Sequence, residues 1–165
     1  MAASKDTRHL MMRANRLLGP ALVERDLVSL EDLERATGRL LELTARGEPR
    51  ECTLLGVLAH ELKVLREADV LRRSVEADGI GLVDLRAIDV PEDLRKEFDV
   101  DECWATWTVP FDREDGITCL ASAYHLSPAV RAHWEKRAGG AILWYGTTLG
   151  DIAEHLGKLP QADAA

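Results

Sequence analysis

The stretch Asp78-Gly79-Ile80-Gly81-Leu82-Val83-Asp84-Leu85 is where the hydrophobic period of this 165-residue chain changes. Before it, apolar residues recur at the three- and four-residue spacing of a helix face. After it they come in short runs of strand length. Gly79 is the expected stop of a helix running from about Arg66 to Ala77, because glycine takes the left-handed conformation that closes a helix. Ile80 to Leu85 reads as a short strand. Helices first and mixed elements afterwards predict an α+β fold rather than a doubly wound sheet. The expected architecture is a helical N-terminal lobe over residues 8–78, then a small mixed α/β lobe over residues 79–159 with a three- to four-stranded sheet. Residues 1–7 and 160–165 read as flexible ends.

Working towards the N-terminus, Leu54, Leu55, Leu58 and Leu62 mark one helix face, and Arg46-Gly47-Glu48-Pro49 a loop. Ser29-Leu30-Glu31-Asp32 is a capping box opening a helix that carries Leu30, Leu33, Thr37, Leu40 and Leu41. Leu10 to Val23 is helix-like, with Gly19-Pro20 as a break or a helix start. Working towards the C-terminus, Pro91 to Phe98 reads as a short helix. Trp104 to Phe111 and Gly116 to Tyr124 read as the strands of a hairpin, joined by the polar turn Asp112 to Gly116. Ser127-Pro128 starts a helix that ends at Gly139-Gly140, and Ala141 to Gly146 is a strand. Thr148 with Asp151 forms a second capping box, for a helix ending at Gly157.

Composition excludes several classes. Acidic residues outnumber basic ones, 29 to 21, for a net charge of −8. That sign opposes a nucleic-acid surface and a polybasic membrane anchor. No apolar run reaches the roughly 20 residues of a membrane span, and Met1-Ala2-Ala3-Ser4-Lys5-Asp6 has no signal-peptide core. A cytoplasmic protein is expected. Its three cysteines, Cys52, Cys103 and Cys119, form no CxxC pair and read as buried thiols. Arginine outnumbers lysine and alanine is abundant, as in proteins of GC-rich bacterial genomes.

A weak internal repeat runs through the first lobe. Leu17-Leu18-Gly19-Pro20-Ala21-Leu22-Val23-Glu24, followed by Leu27-Val28, matches Leu54-Leu55-Gly56-Val57-Leu58-Ala59-His60-Glu61, followed by Val64-Leu65. Any Leu-rich helical hairpin produces such a pattern. A glycine at the same place in both copies points instead to close backbone approach.

With these residues in view, the chain resembles the N-terminal domain of the assembly ATPases of type II secretion and type IV pili, the GspE/PilB/MshE kind, over about residues 15–159. In that family each repeat begins Arg-Leu-Gly, continues with apolar pairs around a second glycine, and leads into a helix ending in Gln. Here the first copy keeps Leu18-Gly19, Leu22-Val23, Leu27-Val28 and Leu33, and the second keeps Leu55-Gly56, Val64-Leu65 and Leu71. Gly79 to Leu85 is close to the family's junction, and Ile88-Asp89, Val109-Pro110-Phe111 and Leu120-Ala121-Ser122-Ala123 fall where the family has a helix entry and two strands.

The resemblance implies an adaptor that docks on a protein partner of a secretion, pilus or motility apparatus, and some members bind cyclic di-GMP through the two repeats. Leu17 and Leu54 stand at the repeat arginines, Asp26 and Lys63 at the middle glycines, Leu40 and Ala77 at the glutamines. Leucine offers no guanidinium fork or amide to a dinucleotide, and Asp26 repels phosphate. The degenerate positions Leu17, Leu18, Gly19, Leu22, Val23, Leu54, Leu55 and Gly56 are therefore not expected to bind a cofactor. The alternative is a cyclic di-GMP-type receptor with altered contacts. No G-x-x-x-x-G-K-[ST] phosphate loop occurs, since Gly157-Lys158 is followed by Leu159. The expected function is a non-catalytic protein-interaction adaptor, with no cofactor and no metal.

The remaining constellations are read as structural. His9, His60, His125, His133 and His155 show no metal-ligand spacing, and Ser122 and Ser127 lie near His125 without a nucleophile elbow. Asp99 to Glu102 reads as a solvated acidic face. Trp104 and Trp107, three apart on an expected strand, should point to opposite faces and leave one for a partner. Trp144 and Tyr145 are adjacent and are partner-binding candidates for the same reason.

Overall fold

The structure, a computed structural model, describes residues 5–46 and 52–159. Most of the expected loop at Arg46 to Pro49 lies outside the described residues, as does the tail beyond Leu159.

Helix α1 (Lys5–Glu24) is the spine of the fold. Ala14, Leu18 and Leu22 recur at helical spacing and are almost fully buried against helices from both halves of the chain. The expected break at Gly19-Pro20 is not there, and α1 runs through both residues. Pro20 is exposed and removes only the hydrogen bond to the Arg16 carbonyl, which water can replace. Gly19 gives α2 close approach instead: a Cβ there would lie 2.8 Å from Leu33 Cδ1 on helix α2 (Leu30–Arg46), so the Leu33 side chain would have to shift. α2 starts where the capping pattern places it, with the Ser29 hydroxyl accepting from the Asp32 N–H at 3.1 Å.

Thr53 caps a short helix α3 (Leu54–Gly56), which continues as a π-helical turn over Val57–Glu61. The wider turn displaces the regular leucine face, so Leu54, Leu55 and Leu58 are buried while Leu62 is only partly covered. Helix α4 (Glu67–Asp78) ends on Gly79 with φ 67°, as expected.

The sheet has the order β1 (Gly81–Leu82), β4 (Ala141–Gly146), β3 (Ile117–Ser122), β2 (Thr108–Glu114). β1 and β3 flank β4 in parallel, and β2 pairs with β3 antiparallel. β1 is two residues long, shorter than the expected Ile80 to Leu85. Asp84 ends it by accepting from the Arg86 N–H, which starts a single 3-10 turn over Leu85–Ala87. The β2–β3 hairpin closes on Asp115 and Gly116, both at positive φ, the geometry that matches strand twist. Pro110 is tolerated because β2 is an edge strand with an irregularity beside it.

The expected strand at Trp104 to Phe111 begins only at Thr108. Helix α5 (Glu92–Glu97) is followed by α6 (Val100–Thr106), which the Asp99 carboxylate caps by accepting from the Asp101 N–H at 3.0 Å. Trp104 is therefore helical. Trp107 ends the helix in the left-handed region at φ 48°. The two indoles do not point to opposite faces but meet edge to face at 5.4 Å. Helix α7 (Pro128–Ala138) crosses from β3 to β4, and α8 (Leu149–Lys158) closes the fold behind Thr148, whose hydroxyl accepts from the Asp151 N–H. One continuous cluster of buried side chains extends from Ala14 on α1 to Leu156 on α8.

Candidate functional site

The two repeat copies build matching turns. Asp26 and Lys63 lie 37 positions apart and share the left-handed conformation, with φ 56° and 55°. These are the positions matched to the middle glycine of the resembling family, and here both hold larger residues in the conformation that glycine fits most easily. After each, a backbone hydrogen bond returns to the preceding helix, from the Leu27 N–H to the Leu22 carbonyl and from the Val64 N–H to the Leu58 carbonyl, both at 3.0 Å. Val28 and Leu65 then drop into the core.

The degenerate side chains face inward. Leu18, Leu22, Leu54 and Leu55 are at most 2% exposed, Gly19 is buried, and Leu17, Val23 and Gly56 are partly covered. The amide of Gly56 is already engaged, donating to the Thr53 hydroxyl at 2.9 Å. Arg16, the cation next to Leu17, is exposed on another face of α1. No cationic side chain of either copy projects from the matched leucine positions.

A polar hub that the sequence did not single out locks the second copy in place. Asn15 Oδ1 accepts from the Leu54 N–H at 2.9 Å and from the Tyr124 hydroxyl at 2.6 Å. The Tyr124 oxygen in turn accepts from the Leu55 N–H at 3.2 Å. Two orphan donors at the start of α3 are satisfied by side chains from α1 and from the end of β3. Burial, the leading cause, pushes the Tyr124 hydroxyl far above its usual range, so it stays a donor. The clue was an asparagine between Ala14 and Leu18 on an otherwise apolar face.

A cleft of about 790 Å³ lies between the C-terminal ends of α1 and α4, the start of α7, and β4. Arg25 and Asp78 form one wall, paired at 3.7 Å, and Glu24 stands on the same side. Arg131 forms the other wall. It donates to the His125 carbonyl at 2.6 Å and lies over the Trp144 ring at 5.5 Å. Trp144 and Tyr145, read as partner-binding candidates, both line this cleft and are both partly buried. Tyr145 packs on Phe111 at 5.2 Å and over Gly81, where a Cβ would lie 2.8 Å from the ring. Trp104 is partly buried and Trp107 is 7% exposed, and neither lines the cleft.

Other titratable groups serve the fold. The expected solvated acidic face is wrong at Glu102, which is buried because α6 turns it onto α7, where it binds His133 Nε2 at 2.6 Å and Arg137 Nε at 3.1 Å. His125 is fully buried, with Nε2 2.7 Å from the Ser74 hydroxyl. Ser122 instead bonds Thr108, and Ser127 donates to the Ala14 carbonyl. A smaller hollow of about 210 Å³ holds Arg95, His155 and Lys158 together with Asp151 and Glu154. Burial, with the two cations beside it, pulls the His155 pKa down. Cys52 and Cys103 are buried and Cys119 is partly exposed; burial above all raises the Cys103 thiol far beyond its usual range. Among the described residues, no three His, Cys, Asp or Glu side chains are placed to hold a metal. No described helix is long and apolar enough to cross a membrane.

No family model matches the chain, and no curated protein matches it. Solved structures do. The N-terminal domain of XpsE, in crystal form I4122, aligns at TM-score 0.56 and 21% identity, covering 97% of this chain and 99% of that one. The chain has the fold of the XpsE N-terminal domain. A second crystal form of that domain gives TM-score 0.58 at 22% identity, over 87% of this chain and 94% of that one. MshE, solved with cdg, gives TM-score 0.52 at 16% identity, over 86% and 96%. The fold expected from the repeats, that of the N-terminal domain of secretion and pilus assembly ATPases, is the one found.

Proposed function

We propose that this chain is a non-catalytic protein-interaction adaptor, docking on a partner in a type II secretion, type IV pilus or related regulatory system. One observation carries the reading: both repeat copies share a left-handed turn while, at the two positions matched to the repeat arginines, Leu54 is packed into the core and Leu17 is partly covered. An anionic dinucleotide is recognised by guanidinium forks and amide donors, and these positions present neither. The likeness to the XpsE N-terminal domain over nearly the whole chain supports an interaction module of that kind. The cytoplasm is the compartment that fits it.

The test is capture from the native cytosol by the immobilised chain. A specific, saturable protein partner is expected, and repeated capture of none would count against the reading. A second reading, a cyclic di-GMP-type receptor with altered contacts, is favoured by the likeness to MshE solved with cdg. Calorimetry with cyclic di-GMP separates the two, since only the second reading requires heat of binding.

A further inference from the structure

We infer that the open edge of β4 docks an extended acidic segment of a partner protein, which pairs backbone to backbone with Ile142 and the Trp144 N–H and sets a carboxylate on Arg131. The inference rests on the adaptor reading and names its surface.

The edge follows from strand geometry. The Val83 N–H donates to the Gly146 carbonyl at 3.2 Å, so Gly146 turns its backbone groups to the β1 side. Strand alternation gives Trp144 and Ile142 the same orientation. β1 pairs with Tyr145 and Gly146, a parallel register that directs the Gly81 N–H at the Trp144 carbonyl, and no strand among the described residues lies beside residues 141–143 on that side, which leaves the Trp144 N–H and both backbone groups of Ile142 open. Natural edges are guarded by charge, proline or bulges. Ala141-Ile142-Leu143-Trp144 has none of these, and Leu143 is 49% exposed. What shields this edge from indiscriminate pairing is its position in the cleft, between Gly79-Ile80 on one side and α7 on the other.

Charge selects the occupant. Arg131 has no carboxylate within 4 Å among the described residues, and only its Nε has an acceptor in the protein. Its guanidinium is held on Trp144, with the remaining donors available for a carboxylate. Asp78 is already paired with Arg25, and Glu24 is exposed at the rim. A guest strand would place alternate side chains against Leu126, Pro128 and Arg131, and the others beside Leu143. Backbone pairing then supplies affinity, and the alternating contacts supply specificity. The preferred guest is an extended segment with an acidic residue set among apolar ones and no central proline.

A display library of random dodecapeptides, selected on the full chain, tests this. Enriched peptides are expected to share that pattern and to slow hydrogen exchange at the Ile142 and Trp144 amides. Ile142→Pro removes the outward N–H, together with a partly buried side chain, and should weaken them about tenfold or more. Arg131→Gln should weaken acidic peptides several-fold but not their Glu→Gln versions. Protection elsewhere, unchanged binding by both variants, a library yielding nothing, or dimerisation of the chain through this edge would overturn the inference. The exchange measurement on the wild-type chain decides if Ile142→Pro does not fold. Since partner capture is scored separately, loss of this surface leaves the adaptor reading to its own test.

Discussion

His125 should make the fold acid-sensitive in a way that one substitution removes. Its ring is fully buried between Ser74 and the end of the sheet, and Nδ1 has no hydrogen-bond partner. Burial comes first among the causes that lower its pKa from 6.5 to about 4, followed by the neighbouring Arg131 and, more modestly, Arg25, against the opposing pull of the Ser122 backbone and of Asp78. The folded chain therefore holds a neutral imidazole where the unfolded chain binds a proton. Its stabilising contribution is complete above pH 6.5 and is lost as pH falls towards the folded value of about 4. Each pH unit in that window removes about 1.4 kcal/mol, so roughly 3 kcal/mol disappears across it, a large share of a typical domain stability of about 5–15 kcal/mol. Carboxylates titrate over part of the same range, so the measurement is a difference. Urea unfolding of the wild type and of His125→Gln, followed by tryptophan fluorescence from pH 7.5 to 4.5, isolates the histidine. The variant should be the less stable protein at pH 7.5, with the gap narrowing by about 2–3 kcal/mol at pH 4.5. Parallel curves would mean that His125 does not change its protonation on unfolding.

Four further substitutions probe the scaffold. Tyr124→Phe leaves the Leu55 N–H without its acceptor and should cost about 1–3 kcal/mol in chemical denaturation. Lys63→Gly should stabilise by about 0.5–1 kcal/mol, because an exposed lysine holds a left-handed turn there, whereas Asp26→Gly should gain less because aspartate tolerates that conformation; equal gains would argue against the distinction. Gly146→Ala places a Cβ 2.7 Å from Leu71 Cδ2 and 3.3 Å from both Ile80 and Leu82, and overpacking of about 1–3 kcal/mol should lower its thermal midpoint.

What was legible in the sequence followed local chemistry. The caps at Ser29 and Thr148, the glycine stops at Gly79 and Gly139, and β4 itself each depend on a few adjacent residues, and each is present. The misreadings came where a distant contact overrode a local signal. Gly19-Pro20 looks like a break but is the point where α1 and α2 touch. Trp104 has the β preference of an aromatic residue, yet the Asp99 cap turns it into a helix. Glu102 reads as solvated until α7 brings His133 and Arg137 to it. The repeat was visible as two Leu-Gly pairs, but only φ at Asp26 and Lys63 shows that both turns persist. Trp144 and Tyr145 could be singled out as aromatics; the cleft they line needs Arg25, Asp78 and Arg131, which come together only in the fold.

The direct test of a retained scaffold with altered chemistry is a cyclic di-GMP titration of the isotope-labelled chain, read at the amides of Gly19 and Gly56. Both resonances are expected to stay in place up to high micromolar ligand. Saturable shifts at both glycines in the low micromolar range would contradict it.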